Sequence, residues 1–391
     1  MRKLATAATA FCAAIFAANY ILPLGRLTTL AVIAAVLGAA LAASRMPRLR
    51  QAALALVFLA LGLVYYSAYS ERTAAQAQFH SGETAVVGGH VLTYPINYGS
   101  YCRTEIKLDC EGLPKLKAIV YADEELMDAE PGDYISFTGK INAADTLFGE
   151  SYDNYHAKGI FFKISAKSAV SVENTGFDLR SVSARLSRFL SERVEKIFPA
   201  DTAVFMKSLM LGDKSDFYND DALYCAMSRA GFMHIVAVSG MHVSFLVGLL
   251  QFILGRGRRS AVICIALVWL FVLVTGASPS AVRAGFMQSM LLMAPVLRRE
   301  NDAITSLSAI LALILLSNPY AAASISLQLS FGAMAGIICF SGKLFEAAMN
   351  KLPERMKCRP VRYVLASVTM SAGVTVFTLP VTALHFGYVS L

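Results

Sequence analysis

Ala230-Gly-Phe-Met-His-Ile-Val-Ala-Val-Ser-Gly-Met-His-Val-Ser-Phe245 opens an uncharged run over residues 230–255, closed by Arg229 on one side and Arg256 on the other. Such a run exceeds the ~20 residues that carry a helix across about 30 Å of hydrocarbon. Further uncharged runs cover 4–25, 27–44, 51–70, 260–282, 303–342 and 363–391. The whole chain is 56% hydrophobic and 16% charged, against about 25% charged residues in ordinary soluble domains. A soluble enzyme, a disordered chain, a collagen-like protein and a disulfide scaffold are excluded as descriptions of the whole. The fold class expected is a polytopic α-helical membrane protein.

Charge sets the expected orientation. Arg2 and Lys3 precede the first run, and Arg45, Arg48 and Arg50 follow the second. A cleaved signal peptide ending near Ala17 and Ala18 is weighed against an uncleaved span. The second run follows after only Gly25-Arg26, which favours the uncleaved span. Basic clusters recur at Arg256, Arg258 and Arg259, at Arg298 and Arg299, and from Lys351 to Arg362. Spans at roughly 233–254, 261–277, 282–297, 303–317, 322–341 and 362–380 put every cluster on the inner side. The expected topology is multi-pass, with the N-terminus cytoplasmic and residues about 71–200 extracytoplasmic. Tyr65, Tyr66 and Tyr69 would then sit at the outer interface with their hydroxyls in water.

Residues 71–200 hold 14 Lys+Arg and 18 Asp+Glu, whereas the rest of the chain holds 21 and 9. Within 71–178, short β-type runs at 84–87, 106–108, 118–121, 134–139, 159–164 and 169–172 are separated by turn residues. They predict a small all-β barrel or sandwich, of which an OB-type barrel is one form. Leu179, Val182, Leu186, Leu190, Val194 and Ile197 form one stripe of an amphipathic helix. The layout is therefore 1–70, three transmembrane helices; 71–178, an inserted β-rich domain; 179–232, amphipathic helix and connector; 233–391, a helical core. Cys102 and Cys110 flank a predicted strand, and two readings stand there, a disulfide in an oxidising compartment and two free thiols.

Polar residues in apolar spans mark a path, a pair or a site. Ser239 and His242 are i,i+3 neighbours on a helix, with His234 offset by about 80° from His242 at ~100° per residue. One face holds all three, and Gly231 and Gly240 permit close helix approach. They either line a path or hydrogen-bond neighbouring helices. Ser239 and His242 as a catalytic pair lack a nearby carboxylate and a nucleophile elbow. Metal-ligand spacings and a P-loop do not occur in the sequence, so no metal and no cofactor is expected. Arg283, after the Ser278-Pro279-Ser280 break, either snorkels to the surface or meets an anion in a water-filled channel. Gly212 and Asp213 read as a structural turn. Gln328 and Ser330 are two more polar groups within a span.

The order of these motifs carries a resemblance. Leu-Met-Leu-Gly-Asp-Lys-Ser at 209–215 is followed by the segment at 230–244, then by Thr-Gly-Ala-Ser-Pro-Ser-Ala-Val-Arg-Ala at 275–284. Ser-Leu-Gln-Leu-Ser-Phe at 326–331 and Leu-Pro-Val-Thr-Ala-Leu-His-Phe-Gly at 379–387 complete the set. The sequence resembles the ComEC family of bacterial competence proteins. The resemblance implies a permease that translocates single-stranded DNA across the cytoplasmic membrane in natural transformation, with an extracytoplasmic OB-like domain. It makes 233–391 a competence-type channel core and His234, Ser239, Gly240, His242, Ser280, Arg283 and Gln328 its DNA path. The partners implied are single-stranded DNA, membrane lipid, a DNA receptor and a cytoplasmic ATP-driven helicase, with a homo-oligomer also considered. The rival readings are a small-anion carrier using Arg283 and an intramembrane hydrolase using Ser239 and His242. Many family members end in a metallo-β-lactamase-like domain whose zinc motif does not occur here, so no enzyme activity is expected. The chain stops at Leu391 inside a family motif and reads as a fragment or a truncated product.

Overall fold

A computed structural model describes the chain apart from residues 1–2, 45, 100, 111, 148–149, 152–153, 175–181, 213–216, 218–220, 230–239, 277–278, 298–301, 354–357 and 387–391. In chain order, the first helices are α1 (Lys3–Tyr20), α2 (Leu27–Ala42), α3 (Pro47–Arg72) and α4 (Ala74–Phe79). Strands β1 (Thr84–Val91), β2 (Cys102–Leu108), β3 (Lys117–Ala122), β4 (Tyr134–Ala143), β5 (Ile160–Ala166) and β6 (Ser171–Glu173) follow. Then come α5 (Val182–Ile197), α6 (Ala200–Leu211), α7 (Asp221–Arg229), α8 (Gly240–Leu254), α9 (Arg258–Val274) and α10 (Pro279–Leu297). The chain continues with α11 (Ala303–Ser317), α12 (Ile325–Gly336), a π-helical turn at Ile337–Ser341, α13 (Gly342–Lys351) and α14 (Arg359–Phe386). Contacts divide the molecule into two units, one of 1–71, 156–158 and 302–391, the other of 72–155 and 159–301.

Small residues decide the packing of the first unit. Gly62 of α3 lies so close to α1 that a β-carbon there would stand 2.8 Å from the Phe11 carbonyl oxygen. Gly336 of α12 and Gly373 of α14 bring two backbones into contact, and a β-carbon on Gly336 would overlap the Gly373 carbonyl. Close approach of this kind gives helices van der Waals contact where lipid offers no hydrophobic drive. The stretches Leu24–Ala42, Pro47–Phe79, Ile325–Lys351 and Arg359–His385 are long and apolar enough to cross a membrane. Of the tyrosines expected at the outer interface, two hydroxyls find protein acceptors. Tyr66 is buried and donates to Asn19 Oδ1 at 3.1 Å, and Tyr65 donates to the Leu316 carbonyl at 2.6 Å. Protein acceptors satisfy these hydroxyls.

The second unit begins as a small barrel-like sheet. Alternation along β2 turns Cys102, Thr104, Ile106 and Leu108 inward and Arg103, Glu105 and Lys107 outward, as the two-residue period of a strand requires. β1 pairs antiparallel with β2 through Gly89–Val91 and with β4 through Thr84–His90. β2 pairs antiparallel with β3, β3 parallel with β5, and β5 antiparallel with β4. The sheet thus closes on itself. β6 adds to β4. Val87, Ile106, Leu108, Val120, Ile135, Ile141, Phe162 and Ile164 are buried.

No disulfide joins Cys102 and Cys110 in this structure. Cys102 faces inward at the start of β2, while Cys110 lies beyond its end. At about 3.3 Å per residue, β2 alone spans roughly 20 Å, and a disulfide needs Cα atoms less than about 7 Å apart.

Helices α5 to α10 follow the barrel in this unit. α8, α9 and α10 enclose Val243, Val247, Ala261, Cys264, Val268, Ala284 and Leu292. The amphipathic α5 joins this bundle and the barrel. Ser183 Oγ donates to the Leu273 carbonyl at 2.7 Å, Arg185 donates to the Pro131 carbonyl, and Arg188 lies over the Tyr94 ring at 4.5 Å.

Candidate functional site

Gly240 begins α8, and its nearest neighbour across the helix gap is Ala284 of α10. One turn on, Ser244 Oγ accepts from Gln288 Nε2 at 2.7 Å. The two pairs keep one register along both helices, so α8 and α10 run parallel. α9 runs antiparallel to them: Trp269 Nε1 donates to Ser289 Oγ at 3.1 Å, while Val272 packs on Ala281 and against Gly285. The parallel pair has a consequence for the polar residues. Gly240 and His242 in the first turn of α8 share one end of the bundle with Ser280 and Arg283 in the first turns of α10.

Arg283 is 6% exposed, so the surface-snorkelling alternative does not describe it. Its guanidinium is withdrawn from solvent, where a charge must be held by hydrogen bonds or counter-charges. His242 and Ser280 are half-buried. His234 and Ser239 lie outside the described residues, and so does Asp213. Gly212 takes φ +75° and caps the C-terminus of α6, a position that favours glycine.

Gln328 belongs to the first unit. Its Nε2 donates to Tyr20 Oη at 2.5 Å and to the Ala322 carbonyl at 2.8 Å, and its Oε1 lies 3.4 Å from His385 Nε2. Three chain segments thus meet through one side-chain amide. Sequence reasoning missed Tyr20 and His385 as its partners, and it missed the Ser244–Gln288 bridge. Their only signal was polarity inside apolar runs. Among the described residues, no group of three or more His, Cys, Asp or Glu side chains could hold a metal ion. The first unit thus offers a neutral amide held by hydrogen bonds, and the second offers half-buried His242 and Ser280 with one buried guanidinium.

Residues 209–391 match the family model described as Competence protein. Over 279 residues the chain is 25% identical to ComE operon protein 3 of Bacillus subtilis (strain 168), an alignment covering 68% of this chain and 34% of that protein. The chain spans about a third of the length of this curated relative. No solved structure matches it.

Proposed function

The chain belongs to the ComEC family of competence proteins, and from that premise we propose that it forms part of a permease translocating single-stranded DNA across the cytoplasmic membrane. The observation that carries this reading is the parallel packing of α8 and α10. It gathers Gly240, His242, Ser280 and Arg283 at one end of a helix bundle inside the stretch matching the family. The opposite ends of α8 and α10 lead to Arg256, Arg258 and Arg259 and to Arg298 and Arg299. Basic loops favour the cytoplasmic side, so the polar end faces outward, where DNA arrives.

His234 and Ser239 belong to the same path in this reading. Imidazoles and a hydroxyl can hydrogen-bond phosphates or bases, and Arg283 offers one bidentate phosphate contact. A path must bind well enough to admit its cargo and weakly enough to release it. We read the barrel as an OB-like extracytoplasmic domain, because its order β1-β2-β3-β5-β4 closes back on β1 with only β3 and β5 parallel. A DNA receptor outside and an ATP-driven helicase inside are the partners this role requires, and a homo-oligomer is compatible with it. No catalytic step is assigned to these residues. The family relationship does not favour the anion-carrier or hydrolase readings.

The test is complementation in a naturally transformable host deleted for its own copy of this gene. Arg283→Ala or His242→Ala should lower uptake of labelled DNA by about tenfold or more, equivalent to losing at least one ~1.4 kcal/mol contact. Membrane accumulation should stay near normal. Normal uptake by both variants would return these residues to helix–helix glue.

A further inference from the structure

One outer face of the barrel gathers rings and cations that the helical path does not use. Tyr98 and Tyr101 stack with centroids 5.2 Å apart and planes 25° apart. Tyr101 meets the edge of Tyr121 at 5.6 Å, and Lys163 Nζ lies 4.4 Å from the centre of the Tyr155 ring. The strand register explains the gathering. Arg103 pairs with Tyr121 across β2 and β3, and Ile119 pairs with Lys163 across β3 and β5. Paired residues share a face of the sheet, so Arg103, Tyr121 and Lys163 lie on the outer side, where Ile119 is buried against Tyr155 and Tyr121 packs beside them, while Thr104, Val120 and Ile164 fill the barrel.

The pair of rings is set in advance by its backbone. Tyr98 N–H donates to the Tyr101 carbonyl at 2.9 Å, and Gly99 N–H donates to Asn97 Oδ1 at 2.7 Å. Gly99 takes φ +83°, which a side chain would resist. Tyr98 and Tyr101 remain 47% and 41% exposed. Charge is also segregated here. β2, β3 and β5 carry Arg103, Lys107, Lys117 and Lys163 against Glu105, within a region that is acidic as a whole. Asp145 faces Lys163 as well and moderates that end of the patch.

We propose that Tyr98, Tyr101 and Tyr121, flanked by Arg103 and Lys163, form a pre-formed stacking platform for the bases of single-stranded nucleic acid. Every base has a π-face, so stacked tyrosines accept any sequence, while nearby cations follow the phosphates. The outer face of the second and third strands is also where OB-type barrels take extended oligomers. The platform rests on the DNA-uptake reading for the nature of its ligand. It adds a place on the barrel where the strand is held before the helices.

The experiment measures binding of a fluorescent oligo-dT to the full chain in detergent, by anisotropy over a range of salt. Tyr98→Ala and Tyr101→Ala should each weaken binding by about 5- to 100-fold, the worth of one base stacked on one ring. Tyr98→Phe and Tyr101→Phe keep the rings and should stay within about twofold of the unaltered chain. Arg103→Ala should reduce the salt slope by about one. If the alanine variants bind oligo-dT as tightly as the unaltered chain, the contact lies elsewhere and the platform is lost, while the uptake reading stands on its own assay. A chain that ignores oligo-dT but binds N-acetylglucosamine oligomers through the same tyrosines would make this a glycan face. Equal losses from the phenylalanine and alanine variants would assign the effect to hydroxyls and overturn stacking.

Discussion

At Gly336 the α12 backbone touches α14 at Gly373, with Ser341 Oγ beside the same spot. Gly336→Ala would press a methyl into a peptide carbonyl that cannot rotate away, so the helices must separate. A loss of at least about 2 kcal/mol is expected, as for other overpacked contacts. Gly342 is the control: it starts α13 in helical geometry with open space around it. Gly342→Ala should be neutral or stabilise by up to about 1 kcal/mol. Thermal unfolding of both variants in detergent decides, and equal melting would sink the argument. Burial pushes the Tyr121 phenol up to about 12, helped by neighbouring Tyr155. Because the folded pKa lies above the ordinary value near 10, this group's contribution is complete below pH ~10 and fades as pH rises toward about 12. An alkaline unfolding titration should lose that component in Tyr121→Phe; an unchanged profile would refute it. Single residues were the least legible level. Arg283 left two readings open because burial depends on partners distant in sequence, and Cys102 looked bondable because spacing ignores which way a strand turns its side chains.

The elements were easier to read. Each of the six predicted β-runs overlaps a strand, the run at 169–172 only from Ser171, because alternation and β-branched residues record a half-buried face locally. The amphipathic stripe became α5 from Val182 on, Leu179 lying outside the described residues, but its role as a strut to Tyr94, Pro131 and Leu273 needed the fold. One ion pair fixes the next corner. Lys207 of α6 is buried and donates to Glu195 Oε1 of α5 at 2.6 Å, whereas Glu195 is half-exposed. Glu195→Gln weakens the hold on a buried ammonium and should cost about 1–2 kcal/mol. Lys207→Met removes the charge together with its demand and should cost less. Chemical denaturation of the two variants tests the order, and the reverse ranking would contradict it.

For the whole molecule, hydropathy made the many helices legible, whereas their grouping into two discontinuous units was not. Grouping depends on contacts such as Gly336–Gly373, whose partners no local pattern names. Orientation can be read from the chain's own thiols. Cys110 is half-exposed on the barrel and Cys358 is exposed before α14. With the other cysteines changed to serine, a membrane-impermeant maleimide added to intact cells should label Cys110 and spare Cys358. Labelling of Cys358 with protection of Cys110 would invert the topology.

The closure of the barrel also has a consequence in time. β1 is held by β2, its near neighbour in sequence, and over a longer register by β4, while β5 is the last strand of the ring and sits between β3 and β4. A growing chain therefore cannot complete the ring hairpin by hairpin. Until residue 166 has emerged, β3 and β4 each lack a neighbour, and pairings between distant segments form slowly. The barrel is therefore finished only once the whole of β1 to β5 is available, and its last strand sets the moment of closure.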